Sequence, residues 1–443
     1  MQSLWETTAQ PPSFGQLEGD IACDVLIVGG GLAGLLCAYM LKEAGIDYVL
    51  TEAGKICSGV TKNTTAKITS QHGLIYDKLI RRFGIEKAKL YLRANEEALQ
   101  RYRELCKKIG CHFEEKENIV YSTKSKSKID KEIAALKALG YPAESLDSLS
   151  LPFPIQIAGA VKFPRQAQFN PLEFASAISR GLRIYEHTRV REFIDTTAVT
   201  DRGKIFAKRI VIATHYPIIN KHGLYFIKMY QHRSYVIALE GAPPIDGMFV
   251  DEAPDGMSFR MYENLLFVGG GDHRTGKQGG GWQVLRDFAR KNMPRAVEKY
   301  HWATQDCITL DEVPYIGRYS KNTENLYVAT GFNKWGMTSS MVAASLLCEL
   351  LKGKSSPYEA VFDPSRSILR PKLLLNAGSA VVNILTPTSP RCPHMGCALK
   401  WNPTERTWDC PCHGSRFDAD GRLIDGPATG NIRLSQRILE KYK

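Results

Sequence analysis

The sequence predicts an α/β fold that also contains an antiparallel sheet, and three observations support this prediction. A strand, a glycine-rich turn, a helix and a second strand follow one another in residues 21–52, which is the βαβ pattern of a parallel sheet. A second strand, turn and helix occupy residues 326–351. Between these units, residues 225–239 and 247–269 contain β-rich runs separated by proline and glycine turns, which indicates antiparallel strands.

The first turn carries the motif Gly29-x-Gly31-x-x-Gly34. Its glycines allow a tight turn, close approach of the backbone to a pyrophosphate, and packing of the helix on the strand. Glu52 ends the second strand, where a carboxylate can accept ribose hydroxyls. We therefore predict one dinucleotide site, with a ligand-free glycine turn as the alternative. A second motif is incomplete because Arg274 takes the place of its third glycine, and the motif alone does not separate FAD from NAD.

The middle of the chain alternates between helical and strand patterns. Residues 75–109 have apolar positions at helical spacing and predict two amphipathic helices, and residues 124–140 predict another charged helix. Asn170 and Pro171 open a helix that runs to residue 180. Residues 184–190 and 209–214 are strand-like, so the nucleotide-binding sheet is expected to resume there.

The C-terminal segment is rich in cysteine and histidine and follows a stretch of serine and proline that marks a linker. Its cysteines and histidines are Cys392, His394, Cys397, Cys410, Cys412 and His413. A closed zinc site is one interpretation, but zinc modules usually pair Cys with Cys and His with His. The mixed Cys-x-His and Cys-x-x-His pairs fit a Rieske [2Fe-2S] centre, in which two thiolates hold one iron and two imidazoles hold the other.

Composition places the chain among ordinary folded proteins. At about 100–200 residues per domain, its 443 residues suffice for two to four domains, and 44% hydrophobic residues permit a sizeable core. The net charge of +12 would suit nucleic acid, an anionic membrane surface or acidic partners. Because no block of Arg and Lys is interleaved with aromatic residues, nucleic acid is not expected as a partner.

Two further features bear on localisation. Residues 1–19 lack a basic start followed by an apolar core, so a secretory signal is not expected. The most apolar helix candidate, residues 336–352, contains Glu349 and is shorter than the roughly 20 apolar residues that span a bilayer. The remaining cysteines are expected to be reduced core residues. We therefore expect a cytoplasmic protein without a transmembrane segment.

Residues 24–351 resemble the FAD-dependent oxidoreductases of the D-amino-acid oxidase and sarcosine oxidase type. The stretches that carry the resemblance are residues 23–34, 58–67, 209–214, 311–317 and 329–338. The first is shared with many flavoproteins, whereas the last two together are more specific. The resemblance implies FAD, with cofactor contacts from Gly29, Gly31, Gly34, Glu52 and Val190 at the adenine half and from Thr64, Thr65, Gly331, Gly336, Met337 and Thr338 near the flavin. The helix that begins there points its positive end at the negative edge of a reduced flavin.

Residues 391–397 and 409–415 resemble the Rieske signature of cytochrome bc-type complexes. The resemblance implies Cys392 and Cys410 on one iron, His394 and His413 on the other, a Cys397–Cys412 disulfide, and residues 426–428 as a loop over the cluster. Two free buried thiols are the alternative to the disulfide. Residues 365–390 leave little room for the base strands of that family, so an abbreviated base sheet is expected.

Phe417 departs from the Rieske pattern. High-potential members have a tyrosine at this place, and its hydroxyl bonds to a ligand sulfur. Losing a hydrogen bond to sulfur lowers the reduction potential, so the lower part of the roughly −150 to +300 mV Rieske range is expected.

Together, the resemblances predict a Rossmann-type FAD-binding domain, an α+β substrate domain with an antiparallel sheet, and a small all-β Rieske domain. The predicted segments are 20–74, 151–220 and 311–354 for the FAD-binding domain, 75–150 for a helical part and 221–310 for the antiparallel sheet of the substrate domain, 355–375 for a linker, and 376–443 for the Rieske domain.

These cofactors imply an oxidoreductase that oxidises a small amine or amino-acid-like substrate and passes electrons singly to an external acceptor. Arg260, His273 and Lys334 are the candidate catalytic residues, with Tyr262 as a further polar group. Covalent flavin attachment at Cys307 is not expected. Acidic electron carriers such as flavodoxin or ferredoxin would suit the positive charge. The alternative is a non-catalytic redox relay or sensor, and a Rieske-type oxygenase is disfavoured because no suitable His pair for mononuclear iron is evident.

Overall fold

The computed structural model of the chain describes residues 2–219, 222–367, 378, 382–387, 390–436, 438 and 440. In these residues the helices are α1 (Trp5–Thr8), α2 (Leu32–Glu43), α3 (Tyr76–Phe83), α4 (Ile85–Ile109), α5 (Lys126–Leu139), α6 (Pro171–Ser179), α7 (Tyr225–Lys228), α8 (Gly281–Asn292), α9 (Gly336–Leu351) and α10 (Glu359–Phe362), with a 3-10 turn at Val60–Asn63. None of these helices combines the length and apolar character that crossing a membrane requires.

The strands form three sheets. In chain order they are β1 (Ile21–Val28), β2 (Tyr48–Thr51), β3 (Lys67–Ile68), β4 (Phe113–Ser122), β5 (Glu144–Leu146), β6 (Gly159–Phe169), β7 (Ile184–Tyr185), β8 (Val190–Ile194), β9 (Thr197–Thr200), β10 (Gly203–Ile212), β11 (Met229–Glu240), β12 (Met248–Asp251), β13 (Ser258–Tyr262), β14 (Leu265–Arg274), β15 (Val297–Thr309), β16 (Tyr315–Arg318), β17 (Leu326–Thr330), β18 (Lys400–Asn402), β19 (Thr407–Asp409), β20 (Arg416–Phe417) and β21 (Leu423–Asp425).

The first sheet is the predicted parallel one, with strand order β16-β17-β10-β1-β2-β7. Strands β17, β10, β1, β2 and β7 run parallel, whereas β16 is antiparallel at the edge. The central strand β1 is almost wholly buried, as expected for a strand between two helical layers. Both strand-turn-helix units of the sequence belong to this sheet, which confirms the α/β prediction.

The second sheet has the order β15-β11-β14-β13-β12-β4-β6-β3 and is antiparallel except where β12 runs parallel to β4. It includes β4 and β6, although the sequence predicts residues 75–150 as helical and residues 151–220 as part of the nucleotide-binding domain. Hydrophobic periodicity does not predict β6, because two of its buried positions are the polar residues Gln166 and Gln168. Their side chains are hydrogen-bonded to the backbone of residues 70 and 261. The substrate sheet therefore draws on more of the chain than expected.

The third sheet is small and antiparallel, with the order β18-β19-β20-β21. Its core contains the sequence-predicted cysteines together with Trp408 and Phe417. The expectation of an abbreviated base sheet in residues 365–390 lies largely outside the described residues.

Candidate functional site

The glycine motif lies between β1 and α2, and its positions differ in the space around them. A Cβ on Gly34 would lie 1.9 Å from the Gly29 carbonyl oxygen, so only glycine lets α2 pack this closely on the strand. Gly29 has φ of +112°, and a Cβ there would lie 2.5 Å from Ala213 O. In contrast, a Cβ on Gly31 would meet only Thr61 Oγ1, at 3.7 Å. The open space before Gly31, at the N-terminus of α2, fits a pyrophosphate.

Glu52 follows β2 and is fixed at the same turn. Its Oε2 accepts a hydrogen bond from Gly30 N at 2.8 Å, and its Oε1 accepts one from Gly54 N, also at 2.8 Å. The carboxylate and Val190 both line the cavity that starts at the glycine motif. This placement suits a carboxylate that accepts ribose hydroxyls.

A cavity of about 1400 Å³ runs from the glycine motif to the start of α9, which is large enough for a dinucleotide and a small substrate. Most of the sequence-predicted cofactor residues line it, namely Gly29, Gly31, Glu52, Thr64, Thr65, Val190, Gly331, Gly336 and Met337. Gly34 and Thr338 lie behind the wall, and Thr338 Oγ1 donates to Thr69 O at 3.0 Å. The residues present therefore fit FAD.

The C-terminal domain completes the same cavity. The cavity-lining residues from this domain are Glu405, Arg416 and residues 423–429. Residues 426–428, predicted as the loop over the cluster, are among them, and Ala428 N donates to Ser415 Oγ at 3.0 Å. The nucleotide motif and the loop over the cluster thus border one continuous space.

Two of the three candidate catalytic residues do not reach this cavity, which corrects the expectation for both. Arg260 is 0% exposed and directs its guanidinium at the backbone of Thr65 and Ala66. His273 is buried and stacks on Tyr235 with ring centroids 5.6 Å apart. Both residues follow an alternating strand pattern, and that pattern does not tell which face of the strand meets the cavity.

Lys334 does line the cavity, and two acidic residues accompany it. Its ammonium group pairs with Asp272 Oδ2, and Asp272 Oδ1 has no hydrogen-bond partner among the described residues. Asp306 lines the cavity from β15, and burial raises the pKa of its carboxyl group. Sequence reasoning missed both aspartates, because single acidic residues on strands give no local signal.

His72 is a further residue that the sequence analysis missed. It is buried, its ring stacks on Trp335 at 5.1 Å, and its Nε2 lies 2.9 Å from Thr338 Oγ1. Burial lowers the pKa of His72 to about 3, so the imidazole is neutral at pH 7. It therefore acts as a neutral hydrogen-bonding group beside the start of α9.

Alternate residues of β11 contact different parts of the molecule. Gln231 Nε2 donates to His413 O at 2.7 Å, and Tyr235 donates from its hydroxyl to Glu405 Oε1 at 3.0 Å. Between these positions, burial and the nearby Lys334 charge lower the pKa of His232 to about 3. Since successive residues of a strand point to opposite faces, Gln231 and Tyr235 lie on the face of β11 that holds the C-terminal domain, and His232 lies on the opposite face, near Lys334.

A buried ion-pair network fastens the C-terminal domain to the sheet. Glu405 accepts hydrogen bonds from Arg233 and Arg416, and Arg416 also pairs with Asp409. The Glu405 side chain is 1% exposed. Burial raises the pKa of Glu405, but the Arg233 and Arg416 charges outweigh burial and lower it overall. The close fit continues at Gly414, where a Cβ would lie 2.6 Å from Gln231 Cβ.

The two predicted thiolate ligands lie side by side in the small domain. The pKa of Cys392 is lowered to about 7. The largest cause is a hydrogen bond with Cys410. The Ser415 side chain and the backbone N–H groups of residues 394 and 395 add to it, and together these bonds outweigh the opposite effect of burial. Donors that converge on sulfur stabilise a thiolate, which is the form that binds iron.

The two predicted imidazole ligands are neighbours as well. The rings of His394 and His413 are 4.9 Å apart and nearly perpendicular. His413 is 2% exposed, and its Nδ1 is buried without a hydrogen-bond partner among the described residues, as expected of a metal-binding nitrogen. The Tyr216 ring lies 6.5 Å from His394 and 6.3 Å from His413, and it also lines the cavity. The donor set fits a [2Fe-2S] cluster.

The predicted disulfide between Cys397 and Cys412 is present, with a Cα–Cα distance of 6.7 Å. It joins the two loops that carry the thiols and imidazoles. Among the described residues the other cysteines are unpaired, including Cys307, which is buried.

Substituting Phe417 by tyrosine is expected to raise the midpoint potential of the cluster. Phe417 is 0% exposed and packs in the same core as Cys392 and Cys410, so a hydroxyl there can add a hydrogen bond to ligand sulfur. A redox titration followed by EPR measures the change. Phe206→Tyr, at a half-exposed site on β10, is the control and should leave the potential unchanged. Equal midpoints in the two variants would contradict the expected role of this position.

Comparison with protein families agrees with this geometry. Residues 24–350 match the FAD dependent oxidoreductase family, and residues 374–442 match the Rieske [2Fe-2S] domain. The chain is 35% identical to the Rieske 2Fe-2S iron-sulfur protein YhfW of Bacillus subtilis, over 96% of each chain.

Two further proteins are similar to the first part of the chain. Gamma-glutamylputrescine oxidoreductase of Escherichia coli is 24% identical over 78% of this chain and 88% of its own length. The crystal structure of glycine oxidase from Geobacillus kaustophilus superimposes with a TM-score of 0.66 at 20% identity, covering 78% of this chain and 99% of that chain. The second similarity supports the fold alone.

Proposed function

Because the chain belongs to the FAD dependent oxidoreductase family and carries a C-terminal Rieske [2Fe-2S] domain, we propose that it dehydrogenates a small amine or amino-acid-like substrate and passes the electrons singly to an external acceptor. FAD supplies a two-electron hydride acceptor, and the cluster supplies one-electron transfer. The residues that would hold them are the cavity-lining set above for FAD, and Cys392, His394, Cys410 and His413 for the cluster.

The cavity that both modules share is the observation that carries this proposal. It extends from Gly31 to Asp425 and therefore brings the nucleotide motif and the C-terminal domain around one space. Tyr216 supports an internal connection, because its ring borders the cavity and contacts both imidazoles. A protein that used the two cofactors independently would not need this arrangement.

The residues around the flavin end have distinct proposed roles. The N-terminus of α9, at Gly336, would offer its N–H groups to the negative edge of a bound flavin ring. Asp306, Asp272 and Lys334 are the charged groups available to orient a polar substrate on the sheet side. A small amine is supported by the name of the E. coli relative, which acts on gamma-glutamylputrescine.

The exposure of the imidazoles suggests where an acceptor approaches. His413 is enclosed against Tyr216 and Phe226, whereas His394 is partly exposed and is followed by exposed Met395. We therefore place the contact with an external acceptor at the loop of residues 393–396. The proposed compartment is the cytoplasm, in keeping with the unpaired cysteines outside the small domain.

An anaerobic titration with candidate amines and amino acids tests the proposal. We expect one class of compound to bleach the flavin absorbance, after which the EPR signal of a reduced Rieske cluster appears. Reduction by dithionite alone would instead favour the relay or sensor.

The double variant Cys392→Ser/Cys410→Ser is the matched control for electron exit. It should lose the cluster signal and the reduction of a one-electron acceptor while its flavin still bleaches with substrate. If acceptor reduction persists at the wild-type rate, the electrons leave directly from the flavin, and the proposed exit through the small domain is wrong.

A further inference from the structure

Four consecutive backbone carbonyls in the flavin-side wall of the cavity all accept hydrogen bonds from buried side chains. These bonds are Trp302 Nε1 to Asn63 O (2.9 Å), Trp5 Nε1 to Thr64 O (2.7 Å), and Arg260 Nη1 to Thr65 O and to Ala66 O (3.1 Å for the latter). Thr64 and Thr65 line the cavity, whereas Arg260 does not. Trp302 also lines the cavity, whereas Trp5 and Arg260 do not, so these two residues hold the segment of residues 63–66 from the side away from the cavity.

Arg260 is unusual among these donors because it brings a charge. It is 0% exposed, and among the described residues Glu114 acts on it through its charge without forming an ion pair. Its Nε and Nη2 have no hydrogen-bond partner there either. The rings of Trp5, Tyr262 and Phe267 surround the guanidinium at 5.3–5.6 Å. Aromatic faces attract a cation but do not neutralise it.

A buried and unpaired cation is costly, because its hydration is lost and no opposite charge replaces it. The ionisable groups around Arg260 do not remove the imbalance. Glu114 is a more distant carboxylate that already bonds to Gln168 and Lys116, and Tyr262 is a neutral phenol. Burial and the Arg260 charge lower the pKa of Lys67 to about 7. Lys67 lines the cavity, so the wall in front of Arg260 also carries a lysine.

We propose that Arg260 is a positioning residue for the flavin: it holds residues 63–66 against the ring, and its positive charge, which only the more distant Glu114 partly compensates, stabilises negative charge on the ring. This role replaces the catalytic role that the sequence analysis expected for Arg260. It rests on the FAD site of the proposed function and is independent of which substrate is oxidised. It also gives a reason for an arginine at a position where a neutral residue would cost less to bury.

Sulfite binding to the holoenzyme tests this role without any substrate. The sulfite sulfur donates its electron pair to form a bond to flavin N5, and the negative charge moves to the N1 and O2 edge of the ring, so no other oxidant or reductant is needed. Arg260→Met should weaken sulfite binding about tenfold or more and shift the flavin midpoint potential downward. Arg260→Lys keeps the positive charge, so its sulfite affinity and flavin midpoint potential should fall less than those of Arg260→Met.

Glu114→Gln should change sulfite affinity in the opposite direction to Arg260→Met. Glu114 is partly exposed, so the substitution should not disturb folding. Removing this carboxylate leaves Arg260 less compensated, so sulfite should bind about twofold more tightly. Arg286→Met is the matched control, because Arg286 pairs with Glu298 at the surface, and its sulfite affinity should equal that of the wild type.

Wild-type sulfite affinity in Arg260→Met with full FAD content would overturn the proposal. If Arg260→Met does not retain FAD, the sulfite affinity of Glu114→Gln is the deciding measurement. A Glu114→Gln affinity equal to that of the wild type would also overturn the proposal. Failure of every amine to bleach the flavin would count against the proposed function alone, because sulfite titration of the same samples still reports on Arg260.

Discussion

Replacing Glu405 by alanine is expected to lower the free energy of unfolding by about 3–5 kcal/mol, because it leaves two buried guanidinium groups without their carboxylate. Arg233 and Arg416 have side chains that are 4% and 7% exposed, and both donate to Glu405. Tyr235 loses its acceptor as well. We expect the C-terminal domain to detach from β11 before the FAD-binding domain unfolds.

Urea denaturation with two probes measures this effect, flavin fluorescence for the first domain and visible circular dichroism of the cluster for the second. Glu298→Ala is the control, because its pair with Arg286 is 25–35% exposed and exposed pairs contribute about 1 kcal/mol or less. Identical denaturation curves for the two variants would show that the buried network does not hold the domain.

Acid should weaken the same contact in the wild-type protein. The pKa of Glu405 is lowered in the folded state, where the charges of Arg233 and Arg416 outweigh the effect of burial. Its contribution is therefore present above the unfolded pKa and is lost as the pH falls through the folded pKa. Glu405→Ala should not show this part of the acid dependence.

Replacing Gly34 by alanine is expected to disrupt the nucleotide-binding unit even before FAD is considered. The new Cβ would lie 1.9 Å from Gly29 O, a backbone atom that cannot turn away, so α2 must shift from β1. Overpacking of this kind costs about 1–3 kcal/mol or more. Purified Gly34→Ala protein should contain little FAD and should unfold at lower urea after deflavination.

Gly31→Ala is the matched control within the same motif. Its Cβ would meet only Thr61 Oγ1 at 3.7 Å, so the deflavinated protein should be as stable as the wild type. It should nevertheless bind FAD about tenfold or more weakly, because the methyl group occupies the space before the helix N-terminus. If deflavinated Gly34→Ala and Gly31→Ala unfold at the same urea concentration, close helix packing is not the reason for glycine at position 34.

The sequence predicted those parts of the molecule whose chemistry is local. The glycine motif needs its spacing within one turn, and Glu52 needs only to end the next strand. The cysteine and histidine loops likewise carry their whole donor set in two short segments. In each case neighbouring residues determine the geometry, so the pattern can be read without knowing the fold.

The remaining features depend on contacts between distant segments. Arg260 was expected to meet a substrate, but its strand turns it toward Trp5 and the backbone of residues 63–66. Asp306 and His72 reach the cavity only because the second sheet and α9 come together there. No single stretch of sequence encodes such an approach, and a buried charge looks the same in a sequence as a solvated one.

The alternating contacts of β11 also bear on how this chain could be re-engineered. Gln231, Arg233 and Tyr235 bind the C-terminal domain, whereas His232 and Ser234 alternate with them and lie on the opposite face of the strand. Fusing the C-terminal domain to another flavoprotein through the linker alone would therefore not reproduce its contacts with the sheet. A graft would have to carry every second residue of β11 with it, and deletion of one residue would exchange the two sets of partners.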